Sequence, residues 1–537
     1  MRFCACVWRG CSGSMSWSPI NYVLGGLYLA ALIALSILAS RKRESSNEFL
    51  NATGALPLWM CIAACIAANC GSLDVIAMMA LGAQYGMLAC HFYWIGAIPA
   101  LIVVAFWLLP AFARGRYPTV LDFIANYYGQ RTRSAVALCM AAMMLLLAGV
   151  CLSAVAQTMT AFLGWSFAFG ILITTAVVLF YTWMGGLRAT VYTELLHFAV
   201  VLVSIVPLFV LVLHDFGGLS SLVAHLPADH LHAWKNLPVV GPRSTMDLLG
   251  VIVGLGIILS FGFWGTDFVQ MQRALAVRRA ADVPFVPLSM AAAKIIFAFI
   301  IVLPGIAAPV ILGDRIAGHW NTTLPSLMLH YFNPAWVAIG VMGLTASLVS
   351  TFANNVSGFS SATVQGIYQA WIRPGESDAH YFWMGRLTNV LAIVLSIAAA
   401  YSALSFQSLM EYIQMILSTF NAPIFALVAL AALAPKRASA GGLPGLLAGL
   451  ASAIAHQVLV LSGILHYGSR MTANFYAAML SFTVSALVTL IVSSRSQSRI
   501  CDQQQPHARI PLRYSIPTVV WAAVVFAACI GVNIWLR

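Results

Sequence analysis

Apolar runs of about twenty residues recur along the whole chain, each long enough to cross a hydrocarbon core of about 30 Å as a helix. A backbone in lipid must satisfy its own hydrogen bonds, so repeated runs of this length point to a polytopic all-α membrane protein. Composition agrees: 61% of the 537 residues are hydrophobic and 8% are charged, against roughly 25% charged in soluble domains. The net charge of +12 does not imply nucleic acid. Arg and Lys sit in short clusters between apolar runs, with no basic stripe carrying interleaved aromatics.

Length and flanking charge place about fourteen spans near 20–40, 56–82, 88–113, 134–162, 165–184, 190–214, 246–270, 286–312, 336–370, 381–405, 407–433, 440–465, 473–495 and 517–536. Residues 1–14 read as an extension ahead of Met15, which begins a more ordinary start. Residues 15–45 hold a peripheral first helix, and 434–537 hold peripheral C-terminal helices. With both termini outside, nineteen Arg and Lys fall on the cytoplasmic side and seven on the other. That is the bias expected of a multi-pass protein of the cell membrane. The eleven cysteines show neither metal spacing nor a disulfide framework, and Cys61, Cys65 and Cys70 inside a span read as packing residues.

Charges inside a bilayer cost about 2.5–3.5 kcal/mol each at a helix centre, so those that occur are functional candidates. Asp74, Glu194, Asp267, Lys294 and Glu411 fall within or at the edges of spans. Glu194 and Asp267 lie near helix ends, where solvation serves as well. Asp74 and Lys294 lie deeper, and either bind something or pair with each other.

Two spans carry helix-breaking residues. The second contains "AANCGSLD" at 67–74, and the seventh contains "SFGFWGTDF" at 260–268, with Gly262 and Gly265 around Phe263 and Trp264. Glycines also permit close helix packing. Their placement is more telling, because each such span opens a run of five, 56–214 and 246–433. That is the arrangement of a 5+5 inverted-repeat transporter. In span nine Ser347, Ser350, Thr351 and Asn354 share one helix face by their spacing of three and four. Hydroxyls there either bond back to their own backbone or, facing an unwound helix, complete an all-oxygen site for a hard cation such as sodium.

With these pieces in order, the chain resembles the sodium/solute symporter family, which has the LeuT-type fold. The resemblance runs from about Arg43 to Ala434 through "EFLNATGALPLW", "AANCGS", "YTWMGGLRATVYTELLH", "FWGTDFVQMQRALA", "VLPGIAA" and "GLTASLVSTFANNVSG". It implies a sodium site made of the carbonyls of Ala67, Cys70 and Ser347 and the hydroxyls of Ser350 and Thr351. A second ion site of some members falls on Glu194, which replaces the usual Asp. Ala353 and Asn354 stand there where serines are expected, which favours one sodium per cycle. In the substrate pocket the resemblance implies Asn69, Lys294 and an aromatic gate at Phe263. Leu73 and Asp74 replace the Glu-Gln pair of sugar carriers. Asp74 is then free to meet an ammonium group or to pair with Lys294.

The function implied is secondary active transport, with sodium influx driving uptake of a small polar organic solute by alternating access. A proton-coupled carrier using Asp74 or Glu194, and a non-transporting solute sensor, are the alternatives. An enzyme is not expected: the twelve histidines are scattered, and no Ser–His–acid set falls on one face. His197 and His456 read as packing or hydrogen-bonded residues. Asn321 opens a sequon, "NTT", in an outside loop.

Overall fold

The computed structural model describes residues 57–109, 117, 119–184, 187–227, 230–235, 237–266, 274, 276–433, 440–495 and 515–536, with isolated residues of 23–30. The extension at 1–14, most of the span at 20–40 and Asp267 lie outside the described residues. The regular elements among those described are helices, without a β-strand. Ten of the helices are long and apolar enough to cross a membrane, and three shorter apolar helices accompany them.

The chain enters with α1, Leu58–Asn69, and α2, Ser72–Tyr85. An irregular helical stretch follows to Leu108 and contains α3, Ile98–Val103. Then come α4, Val120–Leu163, α5, Phe167–Met184, and α6, Leu187–Asp215. Next are α7, Gly250–Thr266, α8, Phe285–Ile316, α9, Pro334–Ile372, α10, Asp378–Ala403, and α11, Leu409–Leu433. The last three are α12, Gly442–Leu461, α13, Arg470–Arg495, and α14, Ile516–Trp535.

Burial separates the core from the periphery. In the most apolar part of the span that begins with α2, 72% of residues are buried, against 22% in α14. A helix that is apolar all round and buried all round belongs at a bundle centre, whereas α14 turns most of its side chains outward, as a lipid-facing helix does. Around α2 pack α8, α9 and α11, while α4 runs along α9 and α10. Cys61, Cys65 and Cys70 are all buried.

The close approach of α2 to α8 depends on glycine. A Cβ at Gly305 would stand 2.3 Å from the carbonyl oxygen of Met79, which is backbone and cannot swing away. Gly305→Ala is therefore expected to lower the unfolding temperature of the purified protein, with a cost of about 1–3 kcal/mol from overpacking. An unchanged transition would show that the two helices do not meet this tightly.

The sequence leads one to expect a break in the seventh span within 260–268, of which Asp267 and Phe268 lie outside the described residues, and in the described part the glycines do not break the helix. The helix runs unbroken through Ser260–Thr266, after a π-helical stretch at Gly250–Leu259. Gly262 instead lets α11 approach, since a Cβ there would lie 2.3 Å from Asn421 Oδ1. Close packing, not unwinding, accounts for this glycine.

Candidate functional site

The polar stretch at 67–74 does break its helix. α1 ends at Asn69, Cys70 leaves the helical region at φ −93° and ψ 31°, and α2 restarts at Ser72 after an extended Gly71. A restarting helix presents backbone N–H groups with no partner in the helix itself. Ser347 of α9 supplies one, its hydroxyl accepting from the Ser72 N–H at 3.1 Å. A Cβ at Gly71 would lie 3.1 Å from Ser347 Oγ and 3.2 Å from the Ala67 carbonyl oxygen. The break and α9 therefore meet at one point, although the two segments are 275 residues apart.

The five expected sodium ligands are distributed around that point in two ways. Ala67, Cys70, Ser347 and Ser350 are buried, and Thr351 is half-buried. Thr351 Oγ1 donates to the Ser347 carbonyl at 2.9 Å, the local back-bond open to any helical threonine. Donating its proton leaves that hydroxyl's lone pairs available to a cation. Ser350 Oγ differs, being buried without a hydrogen-bond partner, and so is Asn69 Oδ1 on the other side of the break. Native interiors rarely leave such atoms unsatisfied unless an ion or water fills the gap. An all-oxygen donor set with an orphaned hydroxyl suits a small hard cation.

Asp74 and Lys294 take the pairing option. Lys294 Nζ lies 3.4 Å from Asp74 Oδ2, with the lysine side chain 3% exposed and the aspartate side chain 16% exposed. Tyr93, which sequence reasoning missed, donates its hydroxyl to the same Asp74 oxygen. Its ring also lies under the ammonium, 4.3 Å from Nζ to the centroid. Trp264 stands at 6.0 Å from the same ammonium and donates Nε1–H to the Gly96 carbonyl at 3.1 Å. A buried tyrosine needs a partner for its hydroxyl, and in "HFYW" at 91–94 that was the only signal available. Phe263 is half-buried and meets Trp264 edge-on at 5.1 Å between ring centroids.

Glu194 is buried and accepts from Asn354 Nδ2 at 2.7 Å, so it is not a solvated helix-end carboxylate. The amide that stands where a serine was expected donates to this carboxylate. His456 shares a hydrogen bond with the Tyr467 hydroxyl at 2.7 Å, and His197 with that of Tyr28. Asn321 is half-buried, its amide donating to Gln157 Oε1 at 3.3 Å while its oxygen accepts from the Leu409 N–H at 2.9 Å. That nitrogen is engaged with Gln157 of α4 here.

Comparison with known proteins places this architecture. The profile of the sodium:solute symporter family matches residues 49–449. A sodium/glucose cotransporter of Vibrio parahaemolyticus is 25% identical over 501 residues, covering 87% of this chain and 90% of the relative. Sodium/glucose cotransporter 1 of Sus scrofa is 24% identical, covering 87% and 77%. Among solved structures, a substrate-bound, outward-open Na+-coupled sialic acid symporter superposes with a TM-score of 0.72 at 16% identity, over 89% of this chain and 98% of its own. A nucleobase-cation-symport-1 family transporter with a bound hydantoin gives 0.50 at 14% identity, over 83% and 96%. At these identities the two structures bear on the fold alone, and both are LeuT-fold transporters.

Proposed function

The chain belongs to the sodium:solute symporter family, and from that premise we propose which residues carry out its sodium-coupled transport. As a member it is an integral multi-pass membrane protein that couples sodium influx to uptake of a small solute. Sodium is the co-transported ion, not a resident cofactor.

The sodium is held by the carbonyls of Ala67, Cys70 and Ser347 and the hydroxyls of Ser350 and Thr351. The observation that carries this assignment is the meeting of α9 with the helix break, where Ser347 bonds Ser72 and Ser350 Oγ is left buried and unpartnered. Bound there, the ion ties α9 to the α1–α2 break and favours one orientation of the transporter. One sodium moves per cycle, since the Asn354 amide already donates to the Glu194 carboxylate. One charge crossing 100 mV yields about 2.3 kcal/mol, and a tenfold sodium gradient adds about 1.4 kcal/mol. Together they sustain an accumulation of several hundredfold, by order of magnitude.

The solute is small, polar and organic, and binds beside the break among Asn69, Asp74, Phe263 and Lys294. Because Lys294 already neutralises Asp74, the pair adds no net charge to the pocket wall, which favours a neutral solute. Phe263 covers it. Two five-helix repeats, 56–214 and 246–433, within fourteen spans supply the rocking units, and the charge bias of the loops supports both termini outside.

Uptake into proteoliposomes tests this reading, using labelled sugars, polyols, amino acids and organic acids under an inward sodium gradient. At least one neutral solute is expected to accumulate tenfold or more, and replacing sodium with choline abolishes the accumulation. Accumulation driven by a pH gradient in the absence of sodium would overturn it.

A further inference from the structure

Two acids buried in the spans are met differently. Glu411, 2% exposed, accepts from neutral donors, Gln84 Nε2 at 3.0 Å and the Tyr85 hydroxyl at 3.1 Å. Asp74 is met by a cation, and that cation has more than a carboxylate around it. Lys294 Nζ lies 3.4 Å from Asp74 Oδ2, and two aromatic rings stand beside the same nitrogen, Tyr93 at 4.3 Å and Trp264 at 6.0 Å to their centroids. A ring attracts a cation over roughly 6 Å, most strongly where water is excluded. Water is excluded here, since the lysine side chain is 3% exposed.

The walls around this ammonium are fixed independently of the lysine. Tyr93 donates its hydroxyl to Asp74 Oδ2, so the carboxylate that draws the cation also orients the ring beside it. Trp264 donates Nε1–H to the Gly96 carbonyl at 3.1 Å, and Ser260 Oγ donates to the same oxygen at 2.6 Å. Gly96 lies in the turn between the short helix His91–Trp94 and α3. Three segments of the chain, α2, the 91–97 stretch and α7, thus contribute one wall each, and α8 supplies the occupant. A carboxylate flanked by aromatic faces is the kind of enclosure that recognises alkylammonium groups.

We propose that Asp74, Tyr93 and Trp264 form an ammonium-binding box that the protein fills with its own Lys294, so that an alkylammonium solute is refused at this wall of the pocket. The refusal rests on the solute pocket assigned above; the box does not. A free ammonium has to displace a tethered one, which is present at high effective concentration. Removing the tethered group leaves a site for a free amine of the same length.

Chemical rescue tests the box. Lys294→Ala deletes a chain equivalent to propylammonium, which is therefore the probe. Thermal unfolding of the full-length protein is followed in potassium chloride without sodium or solute, which makes the readout independent of the sodium site and of transport. Choline is left out because it is itself a quaternary ammonium. Propylammonium is expected to recover about half or more of the fall in unfolding temperature in Lys294→Ala, by binding the native state. It leaves the wild type unchanged, whose box is full, and 1-propanol and propionate recover nothing. The recovery is lost in Lys294→Ala/Asp74→Asn and in Lys294→Ala/Tyr93→Leu.

Should Lys294→Ala not fold unaided, extraction with propylammonium present reads the same effect as folded yield, against none with propanol. No recovery by the amine in either form overturns the proposal. Equal recovery with propanol does so too, since filling the cavity would then suffice. Recovery that survives Asp74→Asn, or an equal rise in the wild type, would reduce the effect to a general action of the salt and equally overturns it. Sodium-driven accumulation of an alkylammonium solute by the wild type would overturn the refusal.

Discussion

Lys294→Met is expected to destabilise the protein by about 3–5 kcal/mol, the cost of leaving a buried carboxylate without its partner, and to abolish solute uptake. Among the described residues Asp74 has no other cation within ion-pair distance, and Lys294 is its buried counter-charge at 3.4 Å. What remains after the substitution is Asp74 held by the Tyr93 hydroxyl alone. Asp74→Asn in the same background removes the stranded charge and should restore most of the stability, though not the transport. The double-mutant cycle reads the coupling directly. Thermal unfolding of the four proteins measures it, and additive losses would show that the pair contributes nothing as a pair.

Ser350→Ala/Thr351→Ala is expected to weaken sodium binding on the order of 100-fold, about 2.7 kcal/mol. The two hydroxyls are unequal. Thr351 Oγ1 donates to the Ser347 carbonyl at 2.9 Å, so its removal also takes a hydrogen bond from that carbonyl. Ser350 Oγ is buried and unpartnered, so its removal deletes an oxygen that nothing in the apo site uses. The double variant should therefore fold about as well as the wild type without sodium, and differ only when sodium is present. A variant that unfolds equally with and without the ion would make these hydroxyls structural.

Much of this was legible in the sequence because the bilayer leaves so few options. Apolar runs of fixed length have to be helices, and Asn69, Gly71 and Ser72 inside one of them announced the break that the structure places at Cys70 and Gly71. Opposite charges at Asp74 and Lys294 left pairing as one of two options, and which one held depended on α2 and α8 meeting in space. Gly262 was ambiguous, because a glycine signals unwinding and close approach equally; its contact with Asn421 decides for close approach. The π-helical stretch at Gly250–Leu259 has no signature at all in a segment that is apolar throughout. Tyr93 and the Gln84 and Tyr85 partners of Glu411 were invisible for a common reason. Their partners lie 19 and 326 or more residues away, and only packing shows that the polar atoms converge.

The most direct test of the sodium assignment is the unfolding temperature of the purified full-length protein in sodium chloride against choline chloride at equal ionic strength. At a sodium concentration 100 times the dissociation constant, binding to the native state adds about 2.7 kcal/mol. The wild type is expected to show that sodium-dependent rise, and Ser350→Ala/Thr351→Ala to lose it while keeping the wild-type transition in choline. An equal rise in both proteins, or none in the wild type, would contradict the site at the helix break.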